Sequence, residues 1–258
     1  MKADLSRRGF IGLTAAAGLS AGRSPSASAA PGRPGPIRAV AFDAFTVFDR
    51  RPIDNAAEDI FPGAGTTLIE AWRVRQFEYT WLRTLSGTYT DFWTVTEDAL
   101  EFAVQQCKLR LNPAGREQLM GAWLRLTPWP DAPAAVRTFK DRGLHLAFLS
   151  DATVTMLDSW VTNAGLDDVF RPHLSTDRVK AFKPDPRAYQ LGEDAFGIPR
   201  TQIAFSAHGG WDAAGAAAFG YRTFWVNRSD APAERLSATP EATGVDLTQL
   251  VEFVDERS

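Results

Sequence analysis

The sequence predicts an α/β protein: a doubly wound parallel sheet interrupted once by an all-helical insert. Short apolar runs typical of buried strands, at residues 37–42 and 144–149, alternate with helical patterns such as residues 154–164. From residue 66 to about residue 120 the apolar positions instead recur at helical spacing. A helical block inside an alternating chain indicates a cap inserted into a core domain.

The elements follow in a definite order. The first strand ends at Asp43, and Asn112-Pro113 marks the start of the third helix of the helical block. The later elements are a strand at 203–206, a helix at 213–219 and a strand at 221–226. We therefore predict a core domain at residues 37–51 and 128–258, and a helical cap at residues 52–127.

Composition narrows the class of protein. The 258 residues are 45% hydrophobic and 23% charged, which is enough apolar material for a sizeable core. A net charge of −3 without a basic stripe gives no electrostatic reason to expect nucleic-acid binding. The single cysteine, Cys107, excludes an intrachain disulfide and a cysteine-based zinc site.

The first 29 residues resemble a twin-arginine export signal. Arg7-Arg8 precedes a weakly apolar stretch at residues 12–21 that is too short for a membrane anchor, and Ala27-Ser28-Ala29 has the form of a cleavage site. The alternative is an unstructured tail. The resemblance implies a periplasmic or secreted protein with no membrane span after removal of the signal.

Polar residues follow the predicted strands where an open α/β sheet binds its ligands. Asp43, Ser150-Asp151 and residues 208–212 all lie at or just after strand ends, and Lys183 lies in a loop. Taken singly, each has a structural alternative: Ser150 could be the N-cap of the next helix, and Asp212 could cap the helix predicted from residue 213. Their order along the chain favours one shared site.

Four motifs in that order resemble the haloacid dehalogenase superfamily, and more narrowly the 2-haloacid dehalogenases. They are FDAFTVFD, LAFLSDAT, AFKPDPRAY and GGWDAAGAAAFGY. The segment AWRVRQFEYTWLRTLSG in the helical block is the most specific match. The resemblance covers essentially all of the chain after the signal, and it implies a Rossmann-like core with a helical cap.

The resemblance implies covalent catalysis. Asp43 would attack the halogen-bearing carbon, and water would then hydrolyse the resulting ester. Lys183 would keep Asp43 ionised, and Asp212 would orient Lys183 and help activate the water. The remaining implied catalytic residues are Arg73 and Ser150, as contacts of the substrate carboxylate or halide, and Tyr189. The implied substrate-binding residues are Phe45, Phe77, Phe92, Asp151, Trp211 and His208.

The residue type at position 45 distinguishes the subclasses of this superfamily, and here it is Phe45. Phosphatases carry at this position a second Asp, which acts as general acid and helps to hold Mg²⁺. A phenyl ring provides neither a proton nor a hard oxygen ligand. We therefore expect a metal-free site without a cofactor.

Some positions depart from the family pattern. Asp151 replaces the usual Asn, and an ionised carboxylate would repel a departing halide. It must therefore be protonated, paired (with Arg73 as a candidate) or turned away. Thr46-Val47 replaces a glycine–threonine pair, and Ala207-His208-Gly209 replaces Ser-Ser-Asn. His208 could carry a proton during ester hydrolysis or be a structural residue of its loop.

We predict hydrolytic dehalogenation of short 2-haloalkanoic acids to 2-hydroxy acids through an aspartyl ester. The expected partner is a halogenated carboxylic acid, and a homodimer is possible. Two alternatives stay open: hydrolysis of another small substrate such as a phosphoester, and an exported binding homologue without turnover. Asp49, six residues after Asp43, is interpreted as a turn or surface ion-pair residue.

Overall fold

The computed structural model describes residues 35–258, and its centre is a six-stranded sheet. The strands are β1 (Ala39–Phe42), β4 (His145–Ser150), β5 (His173–Ser175), β6 (Ile203–Ala207), β7 (Arg222–Val226) and β8 (Ala242–Gly244). Their order is β5-β4-β1-β6-β7-β8, and every neighbouring pair is parallel. This arrangement confirms the predicted fold class.

The register of the sheet decides where the site lies. Phe42, the last residue of β1, is opposite Phe148 of β4 and Ser206 of β6. All four residues of β1 are buried, as expected of a central strand with both faces covered. The carboxyl ends of β1, β4 and β6 therefore meet at one edge, and the residues that follow them lie close together.

Helices cover both faces of the sheet. The elements are α1 (Ala44–Val47), α6 (Ala132–Asp141), α7 (Val154–Ala164), α8 (Pro186–Phe196), α9 (Gly210–Phe219) and α10 (Leu247–Asp255). Apolar residues of α6, α7 and α10 share one core cluster, and those of α8 and α9 share another with the opposite face. The result is a three-layer arrangement of helices, sheet and helices.

The remaining helices lie between two short antiparallel strands, β2 (Phe48–Asp49) and β3 (Thr127–Pro128). They are α2 (Arg51–Ile60), α3 (Gly65–Ser86), α4 (Phe92–Gln106) and α5 (Pro113–Ala122). Helix α3 packs against α4, where Trp72 Nε1 donates a hydrogen bond to the Thr96 carbonyl at 2.8 Å. The described residues form one compact unit, and the division into core and cap stays a prediction.

Several predicted elements are confirmed and others were missed. Helix α7 has its predicted bounds, and Asn112 caps α5 by accepting the Gly115 N–H at 2.7 Å. Helix α9 begins three residues earlier than predicted, at Gly210, so Asp212 lies in its first turn and is not its cap. The elements not predicted from the sequence are α1, α2, α6, α8, α10, β2, β3, β5 and β8.

Within residues 35–258, no helix is both long enough and apolar enough to cross a membrane. The predicted export signal, residues 1–29, lies outside the described residues.

Candidate active site

Asp43 lies directly after β1, at the edge where the strand ends meet. Its backbone N–H donates to the Ser206 carbonyl at 2.8 Å, which holds the residue against β6. Oδ1 accepts the Phe45 N–H at 3.0 Å, and Oδ2 is 3.3 Å from Lys183 Nζ. The Thr46 hydroxyl donates to the Asp43 carbonyl at 2.7 Å. The backbone thus fixes a nearly buried carboxylate, 7% exposed, next to one cation.

Lys183 connects Asp43 to a second carboxylate. Its Nζ donates to Asp212 Oδ2 at 2.8 Å, and the Tyr189 hydroxyl donates to Asp212 Oδ1 at 2.7 Å. Gly215 permits this contact, because a Cβ there would be 2.5 Å from the Tyr189 hydroxyl oxygen. Tyr189 is completely buried, so it positions Asp212 from behind and does not face a substrate.

The two carboxylates differ in acidity. Burial, the largest single influence, would raise the pKa of Asp43, but the charge of Lys183, the neighbouring His208 and the hydrogen bonds of the carboxylate together outweigh it, and the net pKa is lowered. Burial raises the pKa of Asp212 to about 7, against the attraction of Lys183. Burial would lower the pKa of Lys183, but Asp212 and Asp43 raise it. At neutral pH the site therefore holds an ionised Asp43, a charged Lys183 and an Asp212 able to exchange a proton.

Ser150 and Asp151 end the neighbouring strand, β4. The Ser150 hydroxyl oxygen accepts the Ala152 N–H at 3.2 Å. The alternative that Ser150 caps α7 is wrong, because Thr153 is the N-cap. Asp151 Oδ1 accepts the Lys183 N–H at 3.0 Å and the Thr176 hydroxyl at 3.1 Å. Burial raises the pKa of Asp151 to about 6.

Arg73, on α3, does not pair with Asp151, so that candidate pairing is wrong. Its Nη1 donates to Gln76 Oε1 at 2.5 Å, and its guanidinium carbon lies 4.6 Å from the ring centroid of Phe77 and 5.2 Å from that of Phe45. Burial, followed by the charge of Arg50, lowers the pKa of Arg73 to about 9, so it stays charged at neutral pH. Within residues 35–258, no carboxylate lies within ion-pair distance of it.

Asp43, Lys183, Ser150, Asp151 and Arg73 all line one cavity of about 300 Å³. Ten of the twelve predicted site residues line it, and Asp212 and Tyr189 lie behind Lys183. The predicted aromatic wall is present, with Phe77 and Trp211 packed edge to face at a centroid distance of 5.4 Å. An apolar wall around a few charged groups is typical of a small-molecule site.

His208 also lines the cavity, directly after β6. Its ring centroid is 6.1 Å from that of Phe45, and its carbonyl accepts the Trp225 indole N–H at 3.1 Å. Burial lowers its pKa to about 4, despite the attraction of Asp43, so the imidazole is neutral at pH 7. A neutral imidazole of such low basicity is a weak proton acceptor, and its role in catalysis stays a prediction.

Several residues that line the cavity or contact its lining were not predicted from the sequence. Arg50 lines the cavity and pairs with Asp54 at 2.9 Å. Asn227 lines it from the loop after β7, and the rule that ligands bind beyond strand ends would have pointed to that loop. Thr176 reaches Asp151 from a separate turn and carried no sequence signal. Asp49 accepts the Arg51 N–H in a turn and pairs with the Arg51 guanidinium, but its side chain is 2% exposed, so the interpretation as a surface residue is wrong.

Within the part of the chain that the structure describes, no group of three or more His, Cys, Asp or Glu side chains is arranged to hold a metal ion. Phe45 occupies the cavity wall beside Asp43. The expectation of a metal-free reaction stays a prediction that activity measurements must test.

A doubly wound sheet whose inner strand β1 ends in a buried carboxylate paired with a lysine places a ligand cavity beyond the strand ends, as in other open α/β proteins. A family model described as haloacid dehalogenase-like hydrolase matches residues 37–220. The chain belongs to this family.

Individual members of this family are similar to the chain over most of its length. The (S)-2-haloacid dehalogenase of Pseudomonas sp. strain YL is 40% identical over 220 residues, covering 85% of this chain and 95% of the relative. Haloacetate dehalogenase H-2 of Moraxella sp. strain B is 37% identical, covering 84% and 98%. The structure of the Xanthobacter autotrophicus L-2-haloacid dehalogenase with covalently bound chloropropionic acid has a TM-score of 0.79 and 32% identity, covering 86% and 100%.

Proposed function

We propose that this protein hydrolyses short 2-haloalkanoic acids to 2-hydroxy acids through a covalent ester on Asp43. The observation that carries the proposal is an ionised carboxylate held by Lys183 in a cavity that also contains Arg73, a cation without a carboxylate partner among the described residues. The names of the relatives and the covalent chloropropionic acid complex support the same reaction.

In the first step, a carboxylate oxygen of Asp43 attacks the halogen-bearing carbon. The C–O bond forms as the carbon–halogen bond breaks, and the halide leaves with the bonding electrons. A carboxylate is a weak nucleophile in water, so it must be desolvated and aligned. The Phe45 N–H and Lys183 Nζ hold both oxygens of Asp43, which limits the orientations that the side chain can adopt.

In the second step, water attacks the carbonyl carbon of the Asp43 ester. The acyl–oxygen bond breaks, the alkoxide oxygen of the departing 2-hydroxy acid takes one proton of the water, and the Asp43 carboxylate is restored. Asp212 accepts the other proton of the water and then releases it, so the net reaction releases one proton and one halide. A pKa of about 7 makes Asp212 a suitable base near neutral pH.

Arg73 and Ser150 are proposed to bind the substrate carboxylate. The guanidinium lies against the rings of Phe45 and Phe77, where little water competes for it, so a charge-assisted hydrogen bond would be strong. The aromatic wall would enclose the halogen-bearing carbon. We also propose a preference for S enantiomers, supported by the (S)-2-haloacid dehalogenases among the relatives.

Halide release by the full chain tests the proposal. The substrates are chloroacetate and the two enantiomers of 2-chloropropionate, assayed in EDTA. We expect metal-independent release with the S enantiomer preferred. Absence of release from every haloacid, together with Mg²⁺-dependent hydrolysis of a phosphoester, would support the alternative reaction and overturn this one. Ligand binding without any turnover would support the binding homologue.

Arg73→Lys is expected to lower kcat/KM for 2-chloropropionate by about 10- to 100-fold, because the ammonium loses the forked hydrogen bonds and the ring contacts of the guanidinium. The matched control is Arg75→Lys on the same helix, since Arg75 pairs with Glu78 at 3.0 Å and does not line the cavity. Michaelis kinetics of both variants check the prediction. Equal kinetics for the two variants would remove Arg73 from substrate binding.

We further propose export by the twin-arginine pathway, with cleavage after Ala29. The support is the sequence pattern of residues 1–29. Replacing Arg7 and Arg8 together by lysine is expected to retain the protein, with its signal uncleaved, in the cytoplasm of a bacterial host. Fractionation and intact mass measure the outcome. Export of the double variant at the wild-type level would refute the pathway.

We also propose that the protein forms a homodimer. Val74, Leu82 and Leu85 are 59%, 56% and 85% exposed on α3 and fall at helical spacing, which a second copy could cover. Sedimentation of the wild type and of Leu82→Glu tests it. A monomeric wild type would contradict it.

A further inference from the structure

We propose that Trp129 and Arg228 are positioning residues that fix the short helix α1 and thereby hold the Asp43 carboxylate in the orientation for attack. The inference rests on the proposed function, because that function makes Asp43 the nucleophile. Neither Trp129 nor Arg228 lines the cavity. Each would therefore act through the backbone of α1 and not by touching a substrate.

Helix α1, a single turn between Asp43 and β2, does not satisfy its own carbonyls. It has four residues, all buried, and only the Ala44 carbonyl is paired within the turn, by the Phe48 N–H. The last carbonyls of a helix have no partners inside it. The carbonyls of Phe45, Thr46 and Val47 therefore need donors from elsewhere in the chain, because an unpaired buried carbonyl is costly.

Two residues provide the donors for all three carbonyls. Trp129 donates its indole N–H to the Phe45 carbonyl at 3.2 Å and its backbone N–H to the Val47 carbonyl at 2.9 Å. Arg228 Nη2 donates to the Thr46 carbonyl, which lies between them in the chain, at 3.0 Å. The guanidinium carbon of Arg228 also lies 4.6 Å from the ring centroid of Trp129, so the two donors stabilise each other.

Arg228 is itself held by an ion pair. Its Nη1 and Nη2 donate to the two carboxylate oxygens of Asp131 at 3.0 and 2.8 Å, and Asp131 Oδ2 also accepts the Leu247 N–H at 2.8 Å. A forked pair of this kind fixes the plane of a guanidinium, which an ammonium cannot reproduce. The Arg228 side chain is 12% exposed, so little water competes for these bonds. Helix α1 is thus connected through Arg228 to the start of α10.

The helix that these residues hold carries the groups that orient the nucleophile. The Phe45 N–H donates to Asp43 Oδ1 at 3.0 Å, and the Thr46 hydroxyl donates to the Asp43 carbonyl at 2.7 Å. A shift of α1 would therefore displace the carboxylate. Displacement of a reacting group by about 1 Å can cost about 100-fold in rate. Loss of the Trp129 or Arg228 contacts should slow the halide-releasing step while leaving substrate affinity nearly unchanged.

The test is single-turnover halide release from 2-chloropropionate by the full chain, with enzyme in excess. Trp129→Phe removes the indole N–H and keeps an aromatic ring, and Arg228→Gln removes the forked guanidinium. Each variant should lower the rate constant of halide release by about 10- to 100-fold and change the apparent Kd of the substrate by less than about twofold. Trp129→Phe keeps the test decisive if Arg228→Gln does not fold.

Two further variants separate the proposed role from charge and from general stability. Arg228→Lys keeps the charge but has a single nitrogen, so it should lose about as much rate as Arg228→Gln. The matched control is Arg222→Gln. Arg222 donates to both carboxylate oxygens of Glu241, is 15% exposed and does not line the cavity, so its loss should leave the halide-release rate unchanged.

Hydrogen exchange provides a readout that needs no turnover. Mass spectrometry of a peptide containing residues 44–49 reports the exchange of the backbone amides of α1. Trp129→Phe and Arg228→Gln should speed exchange in this peptide about tenfold, because the helix would open more often, and Arg222→Gln should not.

Wild-type rates and exchange in both Trp129→Phe and Arg228→Gln would overturn the proposal. So would full activity of Arg228→Lys, a loss of substrate affinity without a loss of rate, or an equal loss of rate in Arg222→Gln. If the wild type gives no turnover with any haloacid, the proposed function fails. The exchange of residues 44–49 then still decides whether Trp129 and Arg228 fix α1.

Discussion

Asp43→Asn is expected to abolish halide release, with a loss of roughly 10⁴-fold or more, the scale on which removal of a covalent nucleophile acts. The amide has nearly the same shape as the carboxylate, so the contacts with Phe45 and Lys183 lose charge with little change in volume. Steady-state halide release and circular dichroism of the same preparation are the measurements.

Two further variants sharpen this prediction. Asp43→Glu keeps the charge but displaces the oxygens by about one bond length, which should still cost about 10²-fold in kcat. Asp49→Asn is the control, because Asp49 is also buried in the same motif but pairs with Arg51 and does not line the cavity. An Asp43→Asn protein with substantial activity would refute a covalent role for Asp43, whereas inactivity shared by Asp49→Asn would indicate a structural effect.

Lys183→Met is expected to impair stability and activity together. Removing one partner of a buried charge cluster typically costs about 3–5 kcal/mol, because Asp43 and Asp212 would then lie buried without a cation. Their folded-state pKa values would rise above the unfolded values. The folded variant would bind more protons than its unfolded state, so its stability relative to the wild type should fall as pH rises from about 4.

Thermal and urea unfolding at about pH 5 and pH 8 measure this effect. The control is Lys180→Met, since Lys180 is 64% exposed and pairs with Asp177 on the surface, where such pairs contribute about 0–1 kcal/mol. Activity of Lys183→Met should be lowest at acidic pH, where Asp43 is protonated. A destabilisation that is equal at both pH values would contradict the proposed charge balance.

The positions that sequence predicted well are those fixed by strand ends. Asp43 and Ser150 follow or end apolar runs that are easy to recognise, and parallel strands bring such positions to one edge. The resemblance supplied Arg73, whose place on α3 carries no signal of its own in a single sequence. It also supplied Tyr189, which the structure locates behind Lys183.

Other parts of the site and fold depend on contacts between residues that are far apart in the sequence, or on elements too short to show a pattern. Asp151 meets Thr176 and the Lys183 N–H, 25 and 32 residues further along the chain, so its orientation emerges only with the tertiary fold. Strands β5 and β8 have three residues each, too few to show a periodic pattern. Helix α8 had a recognisable start in Asp185-Pro186, since Asp185 accepts the Arg187 N–H as its N-cap.

A single turnover in water enriched in oxygen-18, with enzyme in excess over 2-chloropropionate, tests the covalent mechanism most directly. If water attacks the acyl carbon of an Asp43 ester, the lactate carries ordinary oxygen from Asp43. The label then enters Asp43 itself, where mass spectrometry of the peptide containing residues 39–49 detects it. Label in the lactate and none in that peptide would mean that water displaces the halide directly, and it would contradict the account of Asp43 as nucleophile.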